Sequence, residues 1–280
     1  MIASVRAALF ASRRRPAVWS VGITWLVLAL VFGLGIPYLV HRALAGDPEQ
    51  AKAAQELLAV VLPDQLATTG IGLFPLFGGA IVVILGALLL GSEYRWGTLH
   101  LILAQRPRRA QVIAGHAVAL VLIALGLVVA TFVAMAAVTA LLATVEGQDV
   151  TWPGAGVLLR AVGAAWLICA THASLGFFLA AVFRSSATAI AVGLVWTLVI
   201  ENAVSGLALV LPPFEVVQKL LLAPSSGALA GALGARSQFD GGTPGVVAAT
   251  SGWLPAAVLA AYLVLAIAGT IWVTNRRDLS

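Results

Sequence analysis

An imidazole and a hydroxyl two residues apart, His172 and Ser174 in Thr171-His-Ala-Ser-Leu-Gly176, are the side chains best suited by type to nucleophilic chemistry. Their spacing argues against it. Residues two apart on a helix point in different directions, so these two cannot form a nucleophile and base pair with each other. Each is expected instead to bond a neighbouring helix. Glu201, in Val195-Trp-Thr-Leu-Val-Ile-Glu-Asn-Ala203, is the one acid deep in an apolar run. A carboxyl there is costly and marks either a structural pairing or a substrate path. Arg160, Asn202 and backbone groups are its candidate partners, and Glu201 with Asn202 is the candidate substrate path or gate.

Other chemistries are poorly served. His41, His100, His116 and His172 are scattered, no His-Glu-x-x-His helix occurs, and Cys169 is the single thiol, so no metal site and no intrachain disulfide are expected. Cys169 suits packing as a small hydrophobe. Neither Lys52 nor Lys219 stands in a Gly-x-x-x-x-Gly-Lys-Ser/Thr context, so the chain has no phosphate-cradling loop of that kind and cannot draw on ATP through one. No catalytic residue and no cofactor of its own are assigned.

The positioning elements follow from composition. With 61% hydrophobic and only 10% charged residues and a mean hydropathy of +1.04, the chain lies far from soluble proteins, where about 25% of residues are charged. It reads as an all-α polytopic membrane protein. The net charge of +5 sits in short clusters beside apolar runs, which are topology and anionic-lipid signals rather than a nucleic-acid surface. Apolar segments at about 17–40, 71–91, 111–144, 157–183, 187–211 and 253–274 each reach the roughly 20 residues that a helix needs to cross a bilayer. Six transmembrane helices are therefore expected. Residues 1–16, with Arg6 and Arg13-Arg14-Arg15 closed by Pro16, are expected to form an interfacial helix. The apolar stretch that follows is longer than the roughly 7–15 residues of a secretory signal, so it is expected to remain as the first span.

With both termini inside, the inner segments hold eleven of the sixteen Lys and Arg residues, which predicts cytoplasmic termini. The outer segments are then a polar loop over His41–Thr69, a short acidic loop with Glu146 and Asp149, and an extracytoplasmic segment over 212–252. In the last, Pro212–Leu222 is amphipathic and Gly227–Leu233 small and apolar, so interfacial or partly re-entrant helices are expected. Gly241-Gly242-Thr-Pro244-Gly245 predicts a loose turn. Trp96, Trp152, Trp253 and Trp272 fall near span ends, as an interfacial belt requires. Without a solenoid-period repeat, residues 1–280 read as one transmembrane domain.

Between the second and third spans, residues 91–109 form a dense polar interruption with Glu93, Arg95, Arg106, Arg108 and Arg109. Trp96, Leu99, Ile102 and Leu103 recur within it at helical spacing, so it reads as a short amphipathic helix, weakened by Gly97 and stopped by Pro107. Such a segment is a handle for another protein. Its pattern, Glu93-x-x-x-Gly97-Thr98-Leu99, then Leu103, Pro107 and Arg109 ahead of a long helix, resembles the cytoplasmic loop between helices two and three of ABC-2 type transporter permeases. The Leu194–Glu201 run, followed by a proline-containing outer segment, is similar to small actinobacterial-type members, and the six-span layout agrees over nearly the whole chain.

The resemblance implies a permease subunit of an ABC exporter in the bacterial cytoplasmic membrane, moving a hydrophobic or amphipathic substrate outward by alternating access. It implies two copies of a cytosolic ABC ATPase, which hold the ATP and Mg, a second permease chain that is identical or homologous, and contact with membrane lipids. By that likeness residues 93–107 are the coupling helix, with Glu93, Arg95, Trp96, Gly97, Thr98, Leu99, Leu103 and Pro107 as the ATPase-coupling residues, and residues 4–15 the interfacial connecting helix. The turn at Arg184 would also approach the ATPase. The alternative is a membrane-embedded enzyme or a channel that needs no ATPase.

Overall fold

The computed structural model describes residues 2–97, 109–208, 210–247 and 252–276, whose regular structure is helical, with no strand among them. Helix α1 (Ile2–Arg13) is followed by α2 (Pro16–Leu44), α3 (Ala51–Val60), α4 (Leu66–Gly72) and α5 (Phe74–Arg95). Beyond them come α6 (Arg109–Val145), α7 (Ala155–Phe183), α8 (Ser186–Ala208), α9 (Pro212–Leu220), α10 (Leu222–Ala232) and α11 (Leu254–Arg276). Six of these, α2, α5, α6, α7, α8 and α11, are long and apolar enough to cross a membrane. The chain is an all-α polytopic membrane protein.

Local chemistry explains the boundaries. Pro16 opens α2 at its first position, and the residue before a proline is driven to an extended backbone, so Arg15 (φ −94°, ψ 112°) forms the elbow between α1 and α2. Arg184 (φ +52°) closes α7 in the left-handed conformation, and the Ser185 hydroxyl then accepts from the Thr188 amide to start α8. Three spans contain a π-helical segment: Val31–Gly35 in α2, Phe74–Gly78 in α5 and Val195–Ile200 in α8.

The core is the crossing of α5 and α7, the most extensive helix contact among the described residues. It works by subtraction of side chains. A Cβ built on Gly86 would lie 1.8 Å from the Ala173 carbonyl oxygen, and one on Gly176 would lie 2.1 Å from that of Val83. Only glycine lets the two backbones approach so closely. Around this crossing the spans are tied by side chains that reach a partner's polar group. Trp25 Nε1 donates to Thr131 Oγ1 (2.9 Å), Trp166 Nε1 to the Val121 carbonyl (3.1 Å) and Thr171 Oγ1 to the Leu259 carbonyl (3.2 Å). The four-spaced small residues Gly126, Ala130 and Ala134 do not serve this packing; a Cβ on Gly126 meets nothing within 4 Å. Trp96, Trp152, Trp253 and Trp272 are all exposed near helix ends.

Two of the segments expected outside depart from expectation in their structure. His41–Thr69 is not a plain polar loop: it folds into α3 and α4, because His41 Nδ1 meets the Ala54 carbonyl (2.8 Å) and fastens α3 to the end of α2. Glu146, just past α6, closes this corner, accepting from Tyr38 Oη (2.7 Å) and Arg42 Nη1 (3.3 Å). The Tyr38 hydrogen bond, reinforced by the Arg42 charge, holds the Glu146 carboxyl below the ordinary carboxylate range. The 241–245 turn is not loose either. The Gly242 amide donates to the Ser237 carbonyl (2.8 Å) and the Gly245 amide to Gln238 Oε1 (2.9 Å).

Substituting Gly86 or Gly176 by Val should separate α5 from α7 and lower the stability of the purified protein by about 3 kcal/mol or more. Gly126→Ala, which adds a methyl group in open space, should change it by less than about 1 kcal/mol. Fluorimetric melting of the three variants distinguishes the sites; a similar response in all three would refute the glycine-dependent crossing.

Candidate functional site

At the end of the bundle where α1, α5 and α6 meet, one carboxylate organises the surroundings. Helix α5 does not stop at Gly91 but continues to Arg95, so Glu93 and Arg95 stand on its last turn rather than on a separate loop helix. Glu93 faces inward and is 3% exposed. The guanidinium of Arg15 reaches it from the proline-set elbow: Nη2 pairs with Glu93 Oε1, while Nη1 donates to Ser92 Oγ (2.7 Å) and to the Leu89 carbonyl (3.2 Å). From α6, His116 presents Nε2 3.8 Å from the same carboxylate oxygen, its Nδ1 meeting the Val112 carbonyl (2.9 Å). Helix α1 covers this start of α6, where Gly115 leaves room for Ser4. The first turns of α6 are thus enclosed by protein at His116, although the helix has 37 residues.

The next residues turn the other way. Trp96 is 73% exposed beside the Arg95 guanidinium, 6.0 Å from the ring centroid. Gly97 (φ +65°) ends the helix with its amide donating to the Tyr94 carbonyl (3.2 Å). One turn of α5 thus carries an anchor, Glu93, and two outward-facing residues, Arg95 and Trp96. Thr98, Leu99, Leu103 and Pro107 lie outside the described residues. Sequence reasoning missed Arg15, Ser92 and His116 as Glu93's neighbours. The available signal was Pro16, which fixes the backbone from which Arg15 projects.

Near the opposite end Glu201 is fully buried and committed to three donors. Trp196 Nε1 (2.7 Å), the Leu222 amide (3.3 Å) and the Ala223 amide (2.5 Å) all point at its carboxylate. Two of these are first-turn amides of α10, groups with no partner inside their own helix. Of the partners expected from sequence, Arg160 is exposed and donates to the Gly156 carbonyl instead (3.1 Å), whereas backbone groups do serve, as the amides of α10. The π-helical segment explains the geometry. Its wider turn aligns residues five apart, which brings the Trp196 ring to Glu201 and lets Asn202 Nδ2 reach the Thr197 and Leu198 carbonyls (3.3 and 3.0 Å).

His172 and Ser174 do not meet. Ser174 Oγ donates to the Thr171 carbonyl (2.7 Å), and His172 Nδ1 meets that of Ile168 (2.9 Å), while its buried Nε2 faces the space left by Gly79. Neither residue bonds a neighbouring helix through these groups. Among the described residues no group of three or more His, Cys, Asp or Glu side chains is arranged to hold a metal ion.

A family model described as ABC-2 family transporter protein matches residues 11–279. The chain belongs to that family. It is therefore a permease, the membrane-embedded transport component of an ABC transporter, and membership implies association with an ABC ATPase subunit. No curated protein matches the permease's sequence.

Two predictions follow from the anchors. Arg15→Met should destabilise the permease by about 2–4 kcal/mol, since it removes a cation from the buried Glu93 carboxylate, Glu93→Gln should cost less because Arg15 is only half-buried, and the double variant should lose less than the two together. Strictly additive losses in a double-mutant cycle would separate the two residues. Glu201→Ala should release α10: hydrogen exchange at the Leu222 and Ala223 amides should accelerate by about tenfold or more, with α7 unchanged. Unaltered exchange would show that the carboxylate does not hold that helix.

Proposed function

We propose that this permease is the membrane half of an ABC exporter that carries a hydrophobic or amphipathic substrate out of the cytoplasm, by alternating access driven by a separate ATPase. The working assembly has two ATPase copies, which hold the ATP and Mg, and a second permease chain, identical or homologous. It sits in a bacterial cell membrane in contact with lipid, with both termini cytoplasmic. The Lys and Arg bias favours this orientation, which puts the end carrying Arg15, Glu93 and Arg184 towards the ATPase.

The observation that carries this reading is the division of labour on the last turn of α5. Arg95 and Trp96 project outward next to residues 98–107, where the family's coupling segment is expected, while Glu93 fastens that turn to Arg15 and α1. A push on Trp96 is then delivered to a span, to α1 and to α6 together instead of being lost in a flexible loop. In this scheme Arg95, Trp96, Gly97, Thr98, Leu99, Leu103 and Pro107 contact the ATPase, and Glu93 positions them. Glu201 acts at the outer gate by holding α10 to α8, and Asn202 by bonding carbonyls within α8, without touching the substrate.

Co-purification tests the scheme. A tagged permease should bring down a soluble P-loop ATPase, and Trp96→Ala should weaken that capture by about tenfold, as loss of a central aromatic contact does. Gly97→Pro should weaken it too, because proline cannot adopt φ +65°. Equal amounts of ATPase retained by both variants would remove the coupling role from this turn.

A further inference from the structure

At the end of the bundle opposite Glu93, a cavity of about 650 Å³ lies between α2, α3, α4 and the segment after α10. Its volume falls within the roughly 300–1,000 Å³ of sites that hold small molecules. The floor is aromatic and comes from two π-helical segments: Phe32 of α2 stacks on Phe77 of α5, with ring centroids 5.8 Å apart and planes 21° from parallel. Irregular turns of this kind occur often at functional sites. Here they have a definite effect, since each aims a phenylalanine into the same space.

The rim differs in character. Glu56 of α3 and Arg236, from the segment after α10, both line the cavity and are exposed, and among the described residues neither makes a salt bridge. The wall that carries Arg236 is already formed. A Cβ on Gly242 would lie 2.1 Å from the Arg236 carbonyl, and the Gln238 amide donates to the Val246 carbonyl (3.0 Å). Phe32 is about half exposed and continues into Ile36 and Leu39 on the exposed apolar face of α2. The cavity therefore joins three features: an aromatic floor, one acid and one base without ion-pair partners, and an apolar approach along a membrane span.

We infer that this cavity binds a zwitterionic phospholipid, with acyl chain on Phe32 and Phe77, cationic headgroup nitrogen towards Glu56 and phosphate towards Arg236. An anionic amphiphile would leave Glu56 repelled and a cationic one Arg236, whereas the zwitterion answers both charges. Binding there requires neither nucleotide nor the ATPase, so it stands apart from the coupling scheme.

The test uses the purified full-length permease in phosphatidylglycerol nanodiscs, with a trace of phosphatidylethanolamine bearing a photoreactive diazirine in its acyl chain. Mass spectrometry should place crosslinks on the turns containing Phe32 and Phe77. Glu56→Gln and Arg236→Gln remove exposed charges with no folding partner, and each should cut this labelling about three- to tenfold, as loss of one charge-assisted contact does. Leu265→Ala, on the exposed face of α11 and outside the cavity, should leave it unchanged. Undiminished labelling in both charge variants, or equal labelling by a diazirine diacylglycerol that lacks the headgroup, would overturn the assignment.

Discussion

A carboxylate buried at the end of an apolar helix has to be answered by another part of the same protein, and in this permease Arg15 answers Glu93. Much of the arginine-rich end follows from that requirement. The guanidinium can reach only because Pro16 forces Arg15 out of helical geometry, and the contact then locks α1 and α2 to α5, with His116 of α6 on the other side. Hydrogen bonds from the same guanidinium to Ser92 and the Leu89 carbonyl fix its plane, so the last turn of α5 has little freedom to swing independently.

The other two inward-facing carboxylates obey the same rule with different partners. Glu146 joins the end of α6 to that of α2 through Tyr38 and Arg42, and Glu201 joins α8 to α10 through backbone amides and an indole. Each acid stands near the point where a chain segment leaves the bundle and would otherwise be loosely held. In a chain with so few charges, acids are thus placed as clips between segments distant in sequence. The apolar interior is left to glycine-mediated backbone approach and to single hydrogen bonds from Trp and Thr.

How much of this is legible in the sequence depends on the range of the interaction. The spans are local, set by runs of apolar residues, and the structure has six of them close to the expected bounds. Glu201 can be recognised as significant because a buried acid is conspicuous, and of its candidate partners backbone groups serve while Arg160 does not; which amides they are, those of a helix about twenty residues later, carries no residue-type signal. Glu93 is harder still. Its exposed neighbours Arg95 and Trp96 suggest a surface segment, while its own partner stands 78 residues away. The helices within His41–Thr69 are hidden because their polar composition is that of a loop, and contacts such as His41 to Ala54 decide the matter. The close-packed glycines escape notice for the opposite reason: in an alanine-rich chain small residues are everywhere, and Gly126 looks no different from Gly86 until the neighbouring helix is in place.

The distribution of irregular helix gives the bundle a mechanical gradient. Among the described residues, α6, α7 and α11 run as unbroken α-helix, and the glycine crossing of α5 with α7 lies in regular helix as well. The π-helical segments of α2 and α5 fall in the half of the bundle away from Glu93, and that of α8 lies at mid-span. A π-helical turn interrupts the regular i to i−4 ladder and is a place where a helix changes direction at low cost. In the proposed coupling scheme, force entering at Trp96 would meet a stiff, cross-linked end first and pass along rigid rods to the middle and far parts of the bundle, where three spans can yield. Those parts also hold the Glu201 clip and the cavity above Phe32 and Phe77, so the parts free to rearrange are those that border the exit side in the proposed orientation.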